Sequence, residues 1–179
     1  NEYLYLANPK GDLYFPSTKQ IIEKNIQYDY PILSIVVNEK DLYDEEKGII
    51  ANPFHKGDEW EKIAYVSYFE KNRLQFASSA GIRIHGHVSR KAPKKSYRLY
   101  FRSELSGSGF PGYLFNDRPA IPLKRMVVHL DRPLDMTFTT SMAFDIARRI
   151  GCILPRIKPV ILYLNGDRQG VYWIADQVN

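Results

Sequence analysis

Asn165-Gly166 stands between two apolar, strand-like runs, Val160 to Leu164 (VILYL) and Val171 to Ala175 (VYWIA). A tight two-residue turn of the type that matches strand twist needs positive φ at both central residues, which Asn-Gly supplies at least cost. These residues therefore read as an antiparallel β-hairpin, the strongest short-range signal in the chain. Other segments repeat the strand theme. Ile32 to Val37 (ILSIVV) is a nearly continuous apolar run rich in β-branched residues, the pattern of a strand covered on both faces. Ile63 to Phe69 follows, and Glu70-Lys71-Asn72-Arg73 makes a turn into Leu74 to Phe76. Gly81 to His85 (GIRIH) alternates, as does Ser96 to Arg102, with Tyr97, Leu99 and Phe101 on one face and Ser96, Arg98, Tyr100 and Arg102 on the other. Lys124 to Leu130 completes the set.

Helical signals are fewer. Asn38-Glu39-Lys40-Asp41 can cap a short turn of helix, and Lys19 to Lys24 can form another. The main helix is expected from about Thr137 to Ile150, where Phe138, Met142, Ile146 and Ile150 recur at four-residue steps. Asp135 or Thr137 would cap its start, and Gly151 its end. Residues 103–120, with three glycines and two prolines, read as a long loop, and residues 1–30 as an irregular, tyrosine-rich segment. Together these predict an α+β fold: a mainly antiparallel sheet with one major helix inserted before the last hairpin.

With 179 residues, 44% hydrophobic and 25% charged, the chain suits one domain with a real core or part of a larger one. No apolar run reaches the roughly 18 residues of a membrane span. Cys152 is the only cysteine, which excludes an intrachain disulfide framework and a cysteine-based zinc site. The net charge of +5 is too weak to imply nucleic acid, and none is expected as a partner. The chain begins at Asn1 without a signal-like segment and stops at Asn179 just after a strand, so it reads as a fragment of a longer protein.

The densest chemistry lies between Arg83 and Arg102. Arg90, Lys91, Lys94, Lys95 and Arg98 fall there with no acidic residue in the window, Gly86 permits a turn, and Ser89 adds a hydroxyl. Such a loop between two strands can hold a polyphosphate. It can equally be a solvated edge whose lysines discourage strand addition. On the helix, Asp145 either makes a surface pair with Arg149 or faces the sheet to fix a lysine. His85 and His87 share a strand face, but no third ligand stands at a standard metal spacing. Asp41, Asp44, Glu45 and Glu46 lack the alternation of a calcium loop.

Four ordered stretches resemble the spore coat protein H-like (CotH) kinase family: PILSIVVNEKDLYDEEKGII (31–50), AGIRIHGHVSRKAPKKSYRLYFR (80–102), FDIARRIG (144–151) and VILYLNGDRQGVYWIADQ (160–177). The resemblance implies an atypical bacterial protein kinase that uses ATP and Mg to phosphorylate protein side chains, exported or associated with the cell or spore surface. Residues 31–179 would be its nucleotide-binding portion, resembling a kinase small lobe. Lys95 then corresponds to the phosphate-contacting lysine and Asp145 to the helix acid that pairs with it. Gly86, Ser89, Arg90 and Arg98 would support the phosphates, and Asp176 and Gln177 would lie where the adenine is held. The metal-binding acids are expected beyond Asn179, so the fragment should not turn over alone. The same fold could serve instead as a non-catalytic adhesion module. The substrate and the oligomeric state are not legible in the residues.

Overall fold

The computed structural model describes residues 30–71, 73–107, 109–115, 121–130, 139–152 and 154–176. Its seven strands are β1 (Ile32–Val37), β2 (Lys62–Glu70), β3 (Arg73–His85), β4 (Ser96–Tyr100), β5 (Arg125–His129), β6 (Ile157–Leu164) and β7 (Asp167–Asp176). They form a closed barrel in the order β1-β2-β3-β4-β5-β7-β6. Neighbours are antiparallel except β1 and β6, whose parallel register, Ile32 with Ile161 to Ile35 with Leu164, closes the ring. The described helices are short: α1 (Glu39–Tyr43), α2 (Ser103–Ser106) and α3 (Thr139–Arg149), with 3-10 turns at Asp58–Trp60, Val88–Lys91 and Gly112–Leu114.

The expected α+β arrangement with a major helix, like the small lobe of a protein kinase, is overturned. The protein is mostly β, and its sheet has no open edges to join or cover. A closed ring fills its interior with the inward side chains of its own strands, so no helix is needed to bury one face. Leu33, Ile35 and Val37 of β1 meet Ala64, Val66 and Tyr68 of β2, Tyr97 and Leu99 of β4, Met126 and Val128 of β5, Leu162 of β6, and Tyr172 and Ile174 of β7. Phe76, Phe101, Phe115 and Tyr68 pack around the fully buried Phe110, with ring centroids 5.1–6.2 Å from it. The apolar stripe of α3 takes no part in this: Met142, Ile146 and Ile150 are 61%, 58% and 75% exposed.

Local signals fared better than the global one. Every residue of β1 is buried, Ser34 included, as its nearly continuous apolar run required. Asn38 accepts a hydrogen bond from Lys40 N at 3.0 Å and caps α1. Gly151, at φ 87°, ends α3 in a paired cap, with Gly151 N bonded to Arg148 O and Cys152 N to Ala147 O, both at 3.0 Å. Leu74–Phe76 and Gly81–His85 are not separate pieces, however. The small residues Ala77 to Ala80 continue one strand, because their partners on β2 are already laid out in register from Glu70 to Lys62. The expected helix at Lys19–Lys24, the rest of the N-terminal segment except Tyr30, and the helix caps at Asp135 and Thr137 lie outside the described residues.

The β6–β7 turn does more than reverse the chain. Asn165 and Gly166 adopt φ 48° and 86°. The Asn165 side chain also reaches β1, accepting from Val37 N and donating to Val37 O, both at 2.8 Å, while Asn165 N donates to Ile35 O. One amide thus extends the parallel ladder that closes the barrel. Asn165→Val, which loses this pairing and resists positive φ, is expected to cost about 2–3 kcal/mol in urea unfolding. An unchanged midpoint would show that the closure does not depend on this turn.

Candidate functional site

The basic loop between β3 and β4 is built around two buried cations, Arg90 and Lys95. Gly86, at φ 108°, swings the chain out of β3 into the 3-10 turn at 88–91, and a Cβ there would collide with Ser89 Oγ. The Arg90 side chain turns back beneath this loop. Its Nε donates to Gly86 O at 2.7 Å, its Nη2 to Ile84 O at 2.6 Å, and its Nη1 to Pro53 O and His55 O at 2.6 and 3.0 Å. A planar guanidinium with five fixed donors is suited to gathering four carbonyls in this way. Arg90 therefore ties the segment around residues 53–55 to the β3 end.

Lys95 is also turned inward. It is buried, and its ammonium donates to Arg90 O at 2.8 Å and Ala92 O at 2.7 Å, closing off the end of the 3-10 turn. Burial without a facing carboxylate lowers its pKa. Lys94 reaches across to Gln169 O at 2.6 Å and fastens the loop to β7. Two of the loop's cations thus organise backbone, and a third anchors it to the neighbouring strand.

What this scaffold shapes is a cleft of about 320 Å³, lined by His55, Lys56 and Gly57 from one loop, Arg83, Ile84, His85 and Gly86 from β3 and its end, and Arg90, Arg98 and Tyr100. The β3–β4 register sets Arg83 opposite Arg98, and strand alternation brings Tyr100 to the same face. The charges of this face are not equivalent. Arg83 is fully matched, by Glu61 at 2.6 Å and by Asp58, and its guanidinium lies over the Tyr100 ring at 4.6 Å. Burial raises the Glu61 pKa, but the hydrogen bonds from Arg102 and Arg83 outweigh it and hold the carboxyl below its ordinary value. No carboxylate stands among the residues that line the cleft. Among the described residues Arg98 has only a neutral hydrogen-bond partner, the His85 imidazole, with Nη2 3.2 Å from Nδ1. Its Nε is buried and makes no hydrogen bond.

His85 records this imbalance. Its pKa is pushed down to about 4 by burial first, then by Arg98, His129 and Arg90. As Arg98 donates to Nδ1, the ring proton sits on Nε2. The unfolded imidazole protonates near 6.5 and the folded one only near 4, so the unfolded state binds the extra proton between them and stability declines as pH falls through that window. After allowance for solvent screening of a half-buried group, about 1 kcal/mol is expected to be lost by about pH 5 and spared in His85→Gln. Chemical unfolding at about pH 7 and about pH 5 checks this, and equal losses in both proteins would contradict it.

The expected site residues are thus only partly assembled. Gly86, Arg90 and Arg98 meet at the cleft, with Ser89 against Gly86 behind it. Lys95 forms no pair with Asp145. Asp145 is exposed on α3 and pairs with Arg149 at 3.4 Å, the surface alternative left open by the sequence. Asp176 is buried and structural, its Oδ1 accepting from Arg156 N at 2.6 Å at the start of β6. Gln177 lies outside the described residues. Sequence reasoning missed His55, Lys56, Gly57, Arg83, His85 and Tyr100 as cleft members. The alternation of β3 and β4 could have supplied Arg83, His85 and Tyr100, but the 55–57 loop arrives only through the Arg90 tether. Among the described residues no group of three His, Cys, Asp or Glu could hold a metal ion, and no helix is long and apolar enough to cross a membrane.

Fold and site together define a closed β-barrel that carries a cationic cleft suited to anions. The sequence pattern of the family described as CotH kinase protein matches residues 82–179, more than half of the chain. The protein belongs to that family, and seven of the ten cleft residues, Arg83 to Tyr100, fall inside the matched segment. No curated protein matches the chain.

Proposed function

We propose that the protein is the nucleotide-binding portion of a CotH-type phosphotransferase that takes ATP with a divalent cation and phosphorylates protein side chains. The observation that carries this reading is the Arg98 guanidinium: a charged donor held in a cleft without a carboxylate, its Nε without a partner and its Nη2 resting on a neutral imidazole. A half-buried cation whose buried Nε is kept in that condition is suited to an anionic ligand that completes its hydrogen bonds. The phosphate chain fits the donor set, with Arg98 and Lys56 as direct partners. Arg90 and Lys95 act beneath it by fixing the loop. ATP supplies the transferable phosphoryl group; these residues bind and orient it.

The metal is a different matter. The described residues hold no carboxylate cluster for Mg, and the reading keeps its ligands beyond Asn179. The chain is expected to bind nucleotide through the cleft residues named above.

A second reading, a non-catalytic surface or adhesion module, is favoured by one observation: Lys95 and Asp145 are engaged separately instead of with each other. Calorimetry with ATP–Mg discriminates the two. The phosphotransferase reading expects saturable binding that inorganic tripolyphosphate displaces. It also expects Lys95→Ala, which loosens the loop under the cleft, to weaken binding about tenfold or more. Absent binding, or affinity indifferent to Lys95, favours the module.

A further inference from the structure

Arg98 and His85 form an unusual couple, because each occupies a hydrogen-bonding position that an anion would serve better. In the free protein the imidazole lends its Nδ1 lone pair to Arg98 Nη2 at 3.2 Å. The groups around that ring are Arg98 and Tyr100 on β4, His129 on β5, Arg90 in the loop, His55 and Lys56 across the cleft, and Arg83 on its own strand. The nearest acids along this face, Asp58 and Glu61, are engaged by Arg83 and Arg102. Among the described residues nothing anionic therefore balances a second positive charge beside Arg98, and the ring stays neutral.

We propose that His85 is the proton-accepting member of the cleft, so that a multiply charged phosphate enters together with one proton. When an anion settles against Arg98, Nη2 turns from the imidazole to an anion oxygen. The released Nδ1 takes a proton from the buffer and itself becomes a donor to the ligand. A lone cation resting on a neutral ring thereby becomes two charged donors around a dianion, which reverses the sign of the local field at the ring. His85 gains a recognition role: it makes the cleft favour ligands of high charge density over singly charged ones. This inference rests on the reading of the cleft as an anion site.

Sulfate is the probe, because it stays a dianion across the range and contributes no titration of its own. At constant ionic strength, sulfate binding to the whole chain is followed by calorimetry in two buffers of different protonation enthalpy, alongside NMR of the histidine rings. Expected are net proton uptake on binding and a rise of about one to two units in the His85 midpoint. Affinity should increase about two- to tenfold between about pH 8 and about pH 5. His85→Gln, whose side-chain oxygen can still accept from Arg98, should bind sulfate with no such pH dependence. Sulfate binding without proton uptake, or coupling that survives in His85→Gln, overturns the role of His85 and leaves the anion site standing. No sulfate binding at any pH overturns both.

Discussion

Arg90→Met is expected to be among the most damaging single substitutions in the protein, lowering stability by about 3–5 kcal/mol in urea unfolding. The guanidinium is the common partner of four carbonyls, from Pro53, His55, Ile84 and Gly86. Methionine matches much of its length but none of its donors. Each carbonyl left buried without a donor costs about 1–3 kcal/mol, with partial relief as the loops relax and admit water. Against a total stability of about 5–15 kcal/mol this is a large fraction. Arg90→Lys should recover little, since one ammonium cannot reach four acceptors spread around a plane. The exposed neighbour Lys91 provides the control, and Lys91→Met should stay within about 0.5 kcal/mol. If Arg90→Met unfolds at the parent's midpoint, the loop is not held as described and the cleft loses its floor.

Arg98→Met should behave in the opposite way, and the contrast separates scaffold from ligand site. Arg98 contributes little to the fold: its Nε makes no hydrogen bond, and its charge opposes that of Arg90, whose pKa is lowered by burial first and by Arg98 next. Removing it relieves a buried donor and a like-charge contact, so stability should hold or rise slightly. Binding of ATP–Mg, or of tripolyphosphate alone, should weaken about tenfold to a hundredfold, the worth of one or two charge-assisted hydrogen bonds to phosphate. A substitution that preserves the fold and removes the ligand is the signature of a group retained for binding. Should Arg98→Met unfold easily and bind normally, the cleft is a structural feature and the anion reading fails.

The comparison of sequence with structure turns on range. Gly151, Asn38 and the Asn165-Gly166 turn are decided within a few residues, by φ preferences and by caps that satisfy nearby backbone groups, and each adopts the geometry its residue types require. The continuous burial of β1 was likewise written in Ile32 to Val37. The site was legible in part. The window from Arg83 to Arg102 announced a cationic loop, and alternation placed Arg98 and Tyr100 on one face. Which cations line the cleft with unengaged donors and which hold carbonyls was not visible, since Arg90 and Lys95 have the same charge on paper as Arg98. That division depends on whether acceptors happen to surround each head group in the folded chain.

The sequence by itself determined the local pieces: strand runs, a hairpin turn, a basic connection, a helix with a glycine cap. The tertiary structure alone decided that the sheet closes, because the deciding contact joins β1 to β6 across more than a hundred residues and leaves no local periodicity. It alone decided that the apolar stripe of α3 is not needed to cover the sheet. The Arg90 tether also holds the 55–57 loop over the β3–β4 ends, so that scattered basic residues form a cleft. Backbone propensity acts over a few residues, whereas the location of a charge's partner is a property of the whole barrel.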